Sequence, residues 1–138
     1  MSTAPNAVHR GSCLCGGVRY EYAGEFHQFV YCHCGQCRKA QGSAFASNAP
    51  IEADKFRLLA GAELLKSFES SPGKQRVFCC NCGSPIYSKA AARPGVLRLR
   101  MGTLDTPAGI KPQAHIYTAS RAEWYDILDG LPQHAERA

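Results

Sequence analysis

A chain of 138 residues is one domain of ordinary size, able to bury a modest core. Its 16 Lys and Arg against 11 Asp and Glu leave a formal charge of +5. The basic residues are dispersed rather than gathered into a run, which makes a dedicated nucleic-acid surface an unlikely use of that charge. No apolar run approaches the roughly 20 residues of a membrane-spanning helix. No apolar leader marks the N-terminus, so a cytoplasmic location is expected.

Residues 18–22 alternate β-prone and polar side chains and read as a strand. Residues 29–31 form another, leading into a cysteine cluster, and residues 37–41 a helical turn before Gly42. Residues 44–49 read as a strand ended by Pro50, and residues 56–59 and 64–69 as two more, separated by Gly61. A turn at Ser70-Ser71-Pro72-Gly73 precedes a strand over 75–78. Strands follow at 85–87, 96–101 (with clean alternation) and 114–118. Residues 121–128 are expected to form a short helix, and Gly130-Leu131-Pro132 to end the ordered chain. One domain over 10–132 with flexible tails at 1–9 and 133–138 follows. Short strands between Gly and Pro turns predict a mainly β domain of small antiparallel sheets.

Seven of the eight cysteines lie in three clusters: Cys13-Leu14-Cys15, Cys32-His33-Cys34-Gly35-Gln36-Cys37 and Cys79-Cys80-Asn81-Cys82. Cys80 is left over. In a reducing compartment clustered thiols read as metal ligands rather than a disulfide framework. In an extended segment residues i and i+2 face the same way, so Cys-x-Cys offers two sulfurs to one ion, and Cys-x-x-Cys does so in a tight turn. Two pairs supply four thiolates and fill a tetrahedral zinc, whereas the triplet leaves a position open. Closed zinc sites are usually structural and open ones catalytic. Three thiolates blunt Lewis acidity toward water but suit a soft fourth ligand such as a substrate thiolate, which favours carbon–sulfur chemistry over hydrolysis.

The segments Gly11-Ser-Cys-Leu-Cys-Gly-Gly-Val-Arg-Tyr, Cys32-His-Cys-Gly-Gln-Cys-Arg and Arg76-Val-Phe-Cys-Cys-Asn-Cys-Gly-Ser-Pro-Ile-Tyr, followed by Gly102-Thr-Leu-Asp, His115-Ile-Tyr and Trp124, resemble the glutathione-dependent formaldehyde-activating enzyme family, which includes centromere protein V. The resemblance covers residues 10–132. It implies a zinc-containing β-tent fold and two zinc ions per chain. Cys13, Cys15, Cys79 and Cys82 would hold the structural ion, and Cys32, Cys34 and Cys37 the catalytic one. It also implies a small thiol and an aldehyde, or their adduct, as substrates of a zinc-dependent carbon–sulfur lyase or synthase that produces S-hydroxymethylglutathione or a related adduct. The alternative is a non-enzymatic, zinc-stabilised module that binds protein or nucleic acid.

Outside the clusters, His33 is expected to point away from a metal held by its neighbours, and His115 to be a satisfied structural histidine. His9, His27 and His134 carry no motif. Trp124 and Tyr125 are expected to cap the core, Cys80 to be a spectator, and Ser43, Phe45 and Asn48 to line the open face of the triplet. Arg38 and Arg76 are the best-placed cations for a substrate carboxylate.

Overall fold

The computed structural model describes residues 8–137. Among the described residues ten strands form two sheets, accompanied by one short α-helix. The smaller sheet has the order β1-β2-β5 and is antiparallel throughout: β1 (His9–Ser12) pairs with β2 (Arg19–Tyr22), and β2 with β5 (Phe56–Ala60). The larger sheet has the order β10-β3-β4-β9-β8-β7-β6. Its strands are β3 (Val30–Cys32), β4 (Ala46–Glu52), β6 (Leu65–Ser71), β7 (Lys74–Cys79), β8 (Pro85–Ala90), β9 (Val96–Arg100) and β10 (Ala114–Ile116). The β10–β3 pair is parallel and the other pairs are antiparallel, so the molecule is mainly β, as its turn-rich sequence indicates.

The core lies between the sheets. Val18, Tyr20, Tyr22, Phe56 and Leu58 from the smaller side meet Ile51, Ile86, Leu97 and Leu99 from the larger one. The Tyr20 hydroxyl finds a partner in Thr103 Oγ1 at 2.6 Å, which satisfies its polar end inside the apolar layer. Gly11 makes this packing possible, because any Cβ there would overlap the Tyr20 ring and the Thr103 carbonyl. Gly61, at φ 90°, lets the turn before β6 press against the Gly17 backbone. A second cluster, built from Val30, Cys32, Cys37, Ala46, Ala114 and Ile116, lies beneath the helix α1 (Gly35–Gln41).

The structure departs from the sequence-based elements in three places. Pro50 does not end its strand: β4 runs on to Glu52. Its partner β3 has its last pairing in that direction at Val30↔Asn48, so Pro50 stands where the strand has a neighbour on one side only and needs no N–H there. Residues 121–128 are not helical. A 3-10 turn over Thr118–Ser120 is followed by turns and irregular chain, and Trp124 is 65% exposed rather than capping the core. β1 carries no β-prone run of its own and takes its form from pairing with β2.

Of the terminal segments read as tails, residues 1–7 and 138 lie outside the described residues. His134 donates its N–H to the His115 carbonyl and accepts from Thr118, while Tyr117 donates to the Glu136 carbonyl. No helix among the described residues is long and apolar enough to cross a membrane.

Candidate metal centres and the cavity above the triplet

The cysteine clusters occupy strand ends, where the chain reverses. Cys13 and Cys15 follow β1, Cys79 closes β7, and Cys82 sits in the turn before β8. Their four sulfurs lie within 4.8 Å of one another. Cys13 Sγ is 3.5 Å from Cys15 Sγ, which is 3.9 Å from Cys79 Sγ. A tetrahedral zinc with Zn–S bonds of about 2.3 Å needs sulfur–sulfur edges of about 3.8 Å, so the arrangement fits that ion. These separations are far beyond a disulfide, and all the cysteines are free thiols.

Neutral donors converge on this group. Val18 N–H donates to Cys13 Sγ at 3.2 Å. Ser84 lies 3.3 Å from Cys82 Sγ and helps hold that thiol down to about 5. The same Ser84 hydroxyl accepts from Leu14 N–H, tying the first cluster to the third. Such bonds offset thiolate charge and orient the ligands. Cys80 is exposed and is not among the four converging sulfurs.

Cys32, Cys34 and Cys37 form the other group, with sulfurs again within 4.8 Å of one another. Cys32 ends β3. Cys34 is the N-cap of α1, its sulfur accepting from Cys37 N–H at 3.3 Å. Gly42, left-handed at φ 62°, closes the helix by donating to the Arg38 carbonyl. One turn of helix thus sets Cys37 over Cys34. Among the described residues no fourth Cys, His, Asp or Glu joins the three.

Charge is unevenly shared within the triplet. Hydrogen bonds from Cys32 and Cys34 hold the Cys37 thiol far below the usual thiol range, with Arg100 and Arg76 adding to the effect. Cys32 moves the opposite way, pushed up by the same bonds and by burial. Arg76 directs both terminal nitrogens at Cys37 Sγ, each at 3.8 Å. The guanidinium is itself held by Gln36 Oε1 at 3.3 Å and Ser70 Oγ at 3.0 Å. Arg100 lies deeper, bonded to Asn48 Oδ1 at 2.7 Å, and burial lowers it to about 10.

His33 points away from the three sulfurs, as its place between two ligands in extended chain suggests. It is fully buried and bonds His115 through Nε2···Nδ1 at 2.7 Å, and His115 in turn meets Asp129 Oδ2 at 2.8 Å. Burial, with the neighbouring His115, lowers His33 to about 4 and keeps it neutral. Phe45 and Tyr125 pack against the His33 ring, so Phe45 faces away from the opening.

A cavity of about 1170 Å³ opens onto Cys32, Cys34 and Cys37. Asn48 lines it, as do Gln36 and Arg76; Ser43 and Phe45 do not, and Arg38 instead bonds the Ser120 carbonyl at the surface. Sequence reasoning missed Lys74, Ser88 and Arg98, which also line the cavity. The Leu-Arg-Leu-Arg alternation of β9 was the available signal, since it places Arg98 and Arg100 on one face.

The model of a family described as glutathione-dependent formaldehyde-activating enzyme matches residues 8–120. An uncharacterized lyase of Schizosaccharomyces pombe is 28% identical over 79 residues, a stretch that covers 57% of this chain and 56% of that protein. The chain therefore matches little more than half the length of that relative. A crystal structure of a Rhodobacter sphaeroides protein resembles the fold with a TM-score of 0.60 at 25% identity, covering 75% of this chain and 91% of that one.

Proposed function

The chain belongs to the glutathione-dependent formaldehyde-activating enzyme family, and from that premise we propose that it is a zinc-dependent carbon–sulfur lyase or synthase joining a thiol to a small aldehyde. The reading rests above all on one observation: three thiols converge, without a fourth protein ligand among the described residues, on the wall of a cavity large enough for a small molecule. A cavity over the triplet favours a small-molecule site over a protein- or nucleic-acid-binding face. Cys13, Cys15, Cys79 and Cys82 would hold the structural ion, and Cys32, Cys34 and Cys37 the catalytic one.

Bound at the triplet, zinc would supply a soft Lewis acid that keeps an incoming thiol ionised near neutral pH. The protein's own residues do the rest. Arg76 spreads the negative charge of Cys37 and, clamped by Gln36 and Ser70, keeps one orientation while doing so. Asn48 and Arg100 stiffen the strands behind the site. The substrate sulfur forms a bond to the aldehyde carbon, and the carbonyl oxygen takes a proton from solvent entering the cavity. In reverse the hydroxyl gives up that proton and the carbon–sulfur bond breaks.

Cobalt substitution tests the open position. Adding mercaptoethanol should raise sulfur-to-metal charge-transfer absorption, and Cys37→Ser should abolish the change. A spectrum indifferent to every thiol would remove the mechanism.

A further inference from the structure

The cavity wall is built by four paired strands with strict alternation. Arg76 on β7 pairs with Ser88 on β8, Ser88 with Arg98 on β9, and Arg98 with Pro50 on β4. The adjoining row runs Val77, Tyr87, Leu99 and Ala49 and belongs to the core. Residues two apart share a face, so Lys74 joins Arg76, and Arg100 joins Arg98, on the cavity side. Lys89 and Arg93 stand at the rim. No Asp or Glu is among the residues that line the cavity. The ion pairs among the described residues lie elsewhere, at Lys55–Glu52, Arg57–Glu21 and His115–Asp129.

Ser88 Oγ on this wall has no partner, and neither has Arg100 Nε, which lies behind the lining. Ser88 is fully buried, and it sits in the wall beneath the open surface of the cavity. Burial, with Arg76 and Arg98 nearby, holds the half-buried Lys74 below its usual range, against the opposing pull of Cys37. Like charges gathered in a partly dry site raise one another's energy, and an unpaired buried hydroxyl adds to that cost. An anionic ligand relieves the crowding of the cations.

We propose that the thiol substrate carries a phosphate-type dianion, seated on Lys74 and Arg98, and lacks an ammonium group. Arg76 is committed to Cys37, Gln36 and Ser70, which leaves Lys74 and Arg98 to match two negative charges. Arg76 and Arg98 are two strand spacings apart, about 10 Å. The thiol end and the anionic end of one small molecule can therefore reach their seats together. A glutathione-like amino terminus would place its ammonium among cations with no carboxylate to receive it. The inference rests on the proposed thiol reading and narrows it.

The test uses the full chain with cobalt at its metal sites and reads charge-transfer absorption against concentration for mercaptobutyl phosphate, mercaptobutanol and glutathione. The phosphate thiol should half-saturate at roughly ten-fold lower concentration than mercaptobutanol, the lower end of what one charge-assisted hydrogen bond contributes, and below glutathione as well. Inorganic phosphate should compete with it but not with mercaptobutanol. Arg98→Gln and Lys74→Gln, each checked for native circular dichroism, should each erase most of the preference. Equal affinity for the two matched thiols, or tightest binding of glutathione, overturns the proposal while leaving the thiol reading intact. If no thiol perturbs the spectrum, the thiol reading fails. Calorimetry with inorganic phosphate alone then decides for the anion seat: binding lost in Arg98→Gln upholds it, and absence of binding overturns it.

Discussion

Arg76 is the side chain on which the triplet and the cavity meet. It touches Cys37 and Gln36 on α1 and Ser70 on β6, so a single guanidinium ties the triplet's helix to the far edge of the sheet. Replacing it with methionine keeps the bulk and removes the donors. A charge-assisted hydrogen bond contributes about 1.5–3 kcal/mol. Arg76→Met should therefore slow thiol–aldehyde exchange roughly ten- to hundred-fold while the folded near-ultraviolet spectrum persists, as steady-state assays and circular dichroism would show.

Tyr20 offers a pH test away from either thiol group. Burial pushes its hydroxyl up to about 12 from an ordinary value of 10.0, against the weaker pull of Thr103. Above pH 10 the unfolded chain gives up this proton and the folded chain keeps it, so alkali favours unfolding. Stability should fall as pH rises from about 10 toward 12, by roughly 1.4 kcal/mol per unit from this group. Tyr20→Phe should flatten that slope in denaturant titrations. An unchanged slope would mean that Tyr20 is not the group responsible. At this scale the cysteines and Arg76 were legible in the sequence because their spacing carries chemistry. Lys74, Ser88 and Arg98 were not, because their convergence depends on the register of three strands.

Among the elements, the ends matter more than the middles. The Cys13–Cys15 segment and the Cys79–Cys82 turn join the two sheets through one thiol group, whereas Cys32, Cys34 and Cys37 belong to a single strand–helix junction. Zinc at a four-thiolate site couples directly to folding, with about 10–16 kcal/mol of apparent binding free energy in small zinc peptides at neutral pH. Cys82→Ser should therefore lower the melting temperature sharply. Cys37→Ser should leave the domain folded and cost only the second metal. Equal loss of fold in both variants would make the triplet structural too.

Gly11 carries a purely steric counterpart. Gly11→Ala drives a methyl into the Tyr20 ring and the Thr103 carbonyl, and should cost about 1–3 kcal/mol in chemical denaturation. Strands at 18–22 and 96–101 were readable from alternation, because each turns its apolar side chains to the core. The expected helix over 121–128 failed because its pattern lacks a buried stripe: Trp124 and Leu128 are exposed, and of this stretch only Ala122 is buried. β1 was missed because its structure comes from pairing rather than propensity.

In the whole molecule, topology gives each metal group its setting. The smaller sheet closes the core over one face of the larger sheet, while the opposite face of β4, β9, β8 and β7 lines the cavity. The two thiol groups thus have different surroundings. One lies at the junction of the sheets, and the other lies on a solvent-connected wall. No residue pattern announces that division. The pairing of the first and third clusters depends on β1 and β7 ending side by side, and only the resemblance to the family anticipated it.

The triplet is proposed to carry thiol–aldehyde chemistry. Its most direct test is exchange spectroscopy by nuclear magnetic resonance on an equilibrium mixture of formaldehyde, a small thiol and their adduct. Zinc-loaded wild-type protein should accelerate interconversion at catalytic concentration, and Cys37→Ser, folded and still holding its four-thiolate ion, should return the rate to that of buffer. Acceleration of equal size in both proteins, or none in the wild type with every thiol tried, would contradict the account.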